Sequence, residues 1–375
     1  MKLRVVGLIV FFSLLIVATV RAEPTTPEAI CTSNSAGDWN VIDRWSCGHV
    51  PDSADDVIVN HAVALNADAT ILSLTVSGTL TFDNGSITNH TLTVSGNVTI
   101  NSGGVINVGS SGPKRTHTFS VGGNFTNAGT FAGVSSKGNR VINTTFAGTG
   151  LQTISGGGST NFNNLTISSG ARVVFPAASV PTVEETMNVN TDGAVQQTLT
   201  VESGSVPFLQ IGDTANVVKY RGVELTPTVS ALGSTTVIIT TTISGGCTTL
   251  GSPPNYATRC YSITPTNNVT ATVRLWALTA TQLNGIPQAS LRIYHYESGA
   301  WQPLSNSTNG SDGGAYSYAQ GTTPGFSAFL LGDTRPTAVT LSTFHAQPQT
   351  TSGSLPIGLG LALGACLLVL KRCIR

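Results

Sequence analysis

The sequence predicts an all-β protein: a parallel β-helix (solenoid) followed by an antiparallel β-sandwich, with an N-terminal signal helix and a C-terminal transmembrane helix. Three observations carry this. The composition is one of strands and turns, with 41 Gly and 17 Pro in 375 residues, 10% charged, and Ser, Thr, Asn and Val between them. "LTVSGTLTF" at 74–82 recurs eighteen positions later as "LTVSGNVTI" at 92–100, an interval too short for a domain and suited to one coil of a winding chain. Apolar runs of helical length occur only at the two ends.

Residues 1–22, "MKLRVVGLIVFFSLLIVATVRA", place Lys2 and Arg4 before an apolar run from Val5 to Val20, with small Val20 and Ala22 ahead of Glu23. This is the pattern of a secretory signal peptide, and an uncleaved anchor is the competing reading. At the other end, 355–370 would make roughly 24 Å of helix against a hydrocarbon core of about 30 Å, with Lys371 and Arg372 able to snorkel. The basic tail 371–375 then lies inside and the body outside, tethered to the cell surface through the stalk 334–354. "LPIG" at 355–358 loosely resembles a sorting signal but lacks its Thr-Gly, which favours a retained helix; the membrane is thus one expected partner. The ends hold six basic residues (Lys2, Arg4, Arg21, Lys371, Arg372, Arg375) and no carboxylate. The body keeps 12 cations against 18 acids, a net charge of −6. No basic stripe remains for phosphates, so no nucleic-acid partner is expected.

Cys31 with Cys47, and Cys247 with Cys260, each flank a short loop and suit local disulfides outside the cytosol. The first would stabilise the fold by about 3 kcal/mol through the unfolded chain. Neither CxxC nor a His cluster accompanies them, so no metal or other cofactor is expected.

Residues 23–69 should form N-terminal cap strands. Trp39, Trp45, Gly48, Pro51 and Asp56 precede and enter the alternating "DDVIVNHAVALN". In this order they resemble the extracellular domain named for its eight glycines, which opens many bacterial surface proteins. Trp39 and Trp45 are candidate contacts for a sugar ring, although tryptophans beside a disulfide more often plug the end of a solenoid.

The parallel β-helix is expected over 70–233. "LTVSGTLTF", "LTVSGNVTI" and "FSVGGNFTN" (119–127) alternate so that Leu74, Val76, Leu80 and Phe82 share one face, which a short strand buries only against neighbouring coils. Gly78, Gly96 and Gly123 are expected at corners, and "GSSGPKRTH" as a loop insertion. Phe146, Gly148, Gly150, Gln152 and Ile154, followed by "FNNLTI", resemble a unit of repetitive bacterial surface β-helices. Asn163 and Asn164 there read as turn residues, with a stacked polar rung as the alternative.

Residues 234–333 carry strands at sandwich spacing. Tyr261, Ile263, Pro265, Leu275, Tyr294, Tyr296, Gly299, Trp301 and Phe326 resemble a β-sandwich module that precedes the anchor in bacterial exported proteins; Tyr294, Tyr296 and Trp301 should pack inward or across strands.

Catalytic residues are not apparent. Asp68 and Asp83 are the only acids between 66 and 175, which leaves a solenoid face without the carboxylates that glycan chemistry needs. Lys114, Arg115, His117, Lys137 and Arg140 read as charged loop tips, and Asp52, Asp55 and Asp56 beside His49 and His61 as a structural turn rather than a metal site. Triplets such as those at Asn84, Asn97 and Asn306 match the glycosylation sequon at a frequency that an Asn- and Thr-rich chain reaches by chance. The expectation is a non-catalytic, exported, surface-anchored protein (adhesin, spacer or envelope component) whose partner is an extracellular glycan or protein. A carbohydrate-binding module is the alternative, and a polysaccharide-acting enzyme on the β-helix a remote one.

Overall fold

A computed structural model describes residues 29–333, except 83–86, 111, 242–246, 248–249 and 251–254. The signal peptide, stalk, transmembrane segment and basic tail expected from the sequence lie outside the described residues. No helix among the described residues is long and apolar enough to cross a membrane.

Two short strands, β1 (Ile30–Thr32) and β2 (Gly37–Asp38), open the winding. A first full coil follows as β3 (Asp56–Val59), β4 (Ala62–Leu65) and β5 (Ala69–Ile71). The next is β6 (Ser73–Val76), β7 (Thr79–Phe82) and β8 (Thr91–Val94), then β9 (Val98–Ile100), β10 (Val105–Val108) and β11 (Arg115–Val121). β12 (Phe125–Asn127), β13 (Thr130–Ala132) and β14 (Arg140–Phe146) make another. β15 (Leu151–Ser155) and the long β16 (Ser159–Ile167), then β17 (Arg172–Phe175) and β18 (Thr182–Val189), and finally β19 (Ala194–Val201) complete a solenoid of about seven coils.

Each coil presents three faces. The first stacks β1, β3, β6, β9, β12, β15, β17 and β19; the second stacks β2, β4, β7, β10, β13 and the start of β16; the third stacks β5, β8, β11, β14 and the end of β16. All these pairings are parallel and largely in register, so that like side chains sit above one another. Val57, Leu74, Val98, Phe125 and Ile154 form one such inward column. All five are buried, and each aliphatic side chain contributes about 1.5–3 kcal/mol. Phe125, Phe131, Phe146 and Phe162 fill the axis, with ring centroids 5.2–6.4 Å apart.

The two near-copies do not stack on one another. Leu74 pairs with Val98 on the first face, whereas Leu92 belongs to the third and pairs with Phe119. The eighteen-residue interval is therefore a slip between faces, not a coil. The twenty-seven-residue interval between 92–100 and 119–127 is a true coil, since Leu92 meets Phe119 and Val98 meets Phe125. Gly78, Gly96 and Gly123 have no left-handed backbone. They are small because the coil beneath comes close: a Cβ on Gly78 would lie 2.5 Å from the Asn60 carbonyl carbon, and one on Gly123 2.5 Å from that of Gly96.

Parallel pairing begins at Ile30, inside the segment expected as a cap, and the last parallel strand is β19, well before residue 233. Antiparallel strands take over there: β20 (Val206–Phe208), β21 (Ile211–Gly212), β22 (Val218–Tyr220), β23 (Val223–Pro227), β24 (Gly233–Thr240), β25 (Tyr256–Pro265) and β26 (Ala271–Leu278). β27 (Leu291–Glu297), β28 (Ala300–Pro303), β29 (Thr308–Ser311), β30 (Tyr316–Thr323) and β31 (Ala328–Asp333) complete them. β24 pairs antiparallel with β19 along its whole length, so the first face continues into β24-β25-β31-β27-β28. A second sheet runs β20-β23-β26-β30-β29. Side chains link the two sheets: Tyr261 Oη on β25 donates to the Trp276 carbonyl on β26 at 2.5 Å. Tyr296 pairs with Trp301 across β27 and β28, with ring centroids 5.2 Å apart, and Tyr294 is buried.

Candidate functional site

The two tryptophans singled out in the N-terminal segment lie in the core. Trp39 and Trp45 are 0% and 2% exposed, edge to face at 4.8 Å, with Trp45 Nε1 donating to the Trp39 carbonyl at 2.8 Å. Their ring faces are closed to a sugar. Cys31 is bonded to Cys47, with Cα atoms 4.9 Å apart, and Cys247 to Cys260, at 5.9 Å. Asp55 is buried and accepts from His49 Nε2 at 2.9 Å and from the Asp52 backbone N–H at 2.8 Å. The hydrogen bond to Asp55 holds the half-exposed His49 imidazole above its ordinary pKa. His61 turns away to Ser33, and Asp56 accepts from Ser73 Oγ.

The basic loop residues divide. Lys114 and Lys137 are exposed, but His117 and Arg140 are fully buried, which corrects the reading of both as loop tips. Arg140 Nε donates to the Pro113 carbonyl at 3.2 Å, and its guanidinium occupies the space where Gly112 has no side chain. Asn139 Nδ2 donates to the Gly112 carbonyl at 2.8 Å. One buried arginine thereby ties the loop entering β11 to the loop entering β14. His117 stacks on His90 at 5.8 Å, its Nδ1 accepting from the His90 backbone N–H.

These tied loops form one wall of a cleft of about 490 Å³ lined by Lys114, Val134 and Gly138, by Val141 and Asn143, by Asn163 and Asn164, and by Glu184, Glu185 and Thr186. The cleft exists because β16 turns the corner without a loop. Two successive buried residues, Phe162 and Asn163, mark the bend within the strand, so Asn163 and Asn164 are strand residues and not the expected turn. β18 follows the same bend with one residue more: Phe162 pairs with Val183 and Asn164 with Thr186, leaving Glu184 and Glu185 opposite Asn163. This is a β-bulge, a device that re-aims side chains. It brings two carboxylates, from beyond residue 175, beside strands that carry none, which corrects the expectation of a solenoid face without carboxylates.

The floor is a network of amides. Asn143 Oδ1 accepts from Asn163 Nδ2 at 2.9 Å and from Asn164 Nδ2 at 3.0 Å, while Asn164 Oδ1 accepts from the Thr186 backbone N–H at 3.1 Å and hydroxyl at 2.6 Å. Glu184 also accepts from the Thr214 backbone N–H at 3.3 Å. Sequence reasoning passed over the glutamates. Their signal was "EE" inside "TVEETMNV", two adjacent acids where a strand otherwise alternates.

The C-terminal sheets hold a second buried polar cluster. Arg259 is fully buried, 4.5 Å from the Tyr220 ring centre, and Nη1 donates to the Arg221 and Trp276 carbonyls at 2.6 and 2.7 Å. Burial raises the Tyr220 and Tyr261 hydroxyls and pushes Tyr316 up to about 12, so the cation stands among neutral phenols. This cluster is a packing device.

Compared with protein-family models, curated proteins and solved structures, the chain matches none of them.

Proposed function

We propose that the chain is an exported, surface-anchored, non-catalytic binding protein, its solenoid and an antiparallel β-sandwich serving to display the cleft. The observation that carries this reading is the make-up of the cleft: amides and hydroxyls on rigid strands, with both carboxylates on β18. Glycoside hydrolysis uses two carboxylates that flank the scissile bond. Here the facing wall offers Lys114, Val134 and Gly138 instead. Export and anchoring are supported by the signal-like and basic-tailed ends, and a disulfide between Cys31 and Cys47 suits an oxidising compartment. The resemblance of Trp39–Asp56 to the eight-glycine domain points the same way.

Surface display is tested by labelling intact cells of the source organism with an antibody to the body of the protein. Labelling without permeabilisation is the expected result. Signal that appears only after lysis contradicts the reading.

A further inference from the structure

We infer that the cleft beside Asn163 binds a short stretch of an uncharged polysaccharide, an inference that rests on the reading of the chain as a displayed binding protein and adds the class of its ligand. The argument is one of donors and acceptors. Asn143 spends its oxygen on two neighbouring amides, so what remains to it is the Nδ2 donor pair. Asn163 is the reverse. Its nitrogen is spent on Asn143, its Oδ1 accepts no hydrogen bond among the described residues, and the residue lines the cleft. That oxygen stays open on the cleft wall as an acceptor for a ligand. Glu184 and Glu185 add acceptors, and Lys114 and Thr116 add donors. Groups that present donors and acceptors interleaved match a ligand whose every group is both, which is the chemistry of sugar hydroxyls.

The same lining excludes other classes. Val134 and Val141 are its only sizeable apolar side chains, too little for an acyl chain or an aromatic ring. Glu184 and Glu185, side by side on β18, repel the carboxylate of a uronate on their side of the cleft. Beyond the cleft two columns of the third face carry hydroxyls and amides along the coil axis. Thr91 pairs with Thr118 and Thr118 with Asn143; Thr70, Thr93, Ser120, Thr145, Thr166 and Asn188 form the parallel column. Rungs about 4.8 Å apart continue to offer hydroxyls to a chain that outgrows the cleft, so affinity should rise with chain length.

Calorimetry on the full-length protein in detergent, titrated with neutral hexasaccharides, the matching monosaccharides and a uronate hexasaccharide, tests this. Neutral hexasaccharides should bind, more tightly than monosaccharides, and uronates should not. Glu185→Ala and Lys114→Ala alter exposed side chains, so the fold is not at stake, and each should weaken binding about tenfold. Binding untouched by both substitutions, a preference for uronates, or silence towards every neutral sugar overturns the inference. A protein that is displayed on cells but silent to sugars leaves the display reading standing. One that binds sugars but is never displayed sinks only the latter.

Discussion

A single side chain reports on the N-terminal end. His49 donates to buried Asp55 beside the Cys31–Cys47 bridge, and that bond raises the imidazole pKa above its unfolded value of about 6.5. A raised folded pKa stabilises the fold fully below the unfolded pKa, and the contribution fades as pH climbs through the folded one. Wild-type protein should therefore exceed His49→Gln in Tm at pH 5.5, and the gap should shrink by pH 8.5. Melting curves of the two proteins at both pH values check this, and a gap that widens with pH contradicts the assignment. Other single residues resist reading from sequence because their role depends on a partner far along the chain. Arg140 looks like a loop-tip cation until Gly112 and Pro113, one coil earlier, are brought against it. Trp39 and Trp45 read from sequence as either a plug or a sugar contact until their burial in the core, edge to face, decides for the plug.

At the scale of elements, alternation was legible and register was not. Period-two patterning in "LTVSGTLTF" correctly places Leu74, Val76, Leu80 and Phe82 inward. It does not say which strand lies above which, because any two copies of such a pattern match equally well. Only backbone pairing separates the eighteen-residue slip from the twenty-seven-residue coil. The cleft was hidden for a related reason: its wall belongs to two loops and its acids to a bulge a coil away, so no contiguous motif records it. Arg140 supplies a test of that wall. Arg140→Met should speed amide hydrogen exchange across 112–116 and 134–139 while leaving strand amides such as those of Leu92 and Phe119 protected. Exchange that rises equally throughout the coils would mean that the arginine supports the core and not the loops.

For the whole of the described body, solenoid and antiparallel strands share one hydrophobic core, and β19 joins β24 in a continuous sheet. The sequence suggested a boundary near residue 234 because strand texture changes there, yet the change of direction comes at β19. Hydrogen bonding across that seam leaves no gap in the sheet at which composition would show a break. The account's central claim is the three-faced parallel stack, since the cleft, its amide floor and its bulge all follow from that register. Paired cysteines test it most directly. Thr99 and Thr126 are register partners on the first face, within the separation a disulfide spans, so Thr99→Cys/Thr126→Cys should crosslink on mild oxidation, as read by peptide mass mapping. Thr75 and Thr93 occupy equivalent places in the two near-copies but lie on different faces, so Thr75→Cys/Thr93→Cys should not. A bond between 75 and 93, with none between 99 and 126, would contradict the stack.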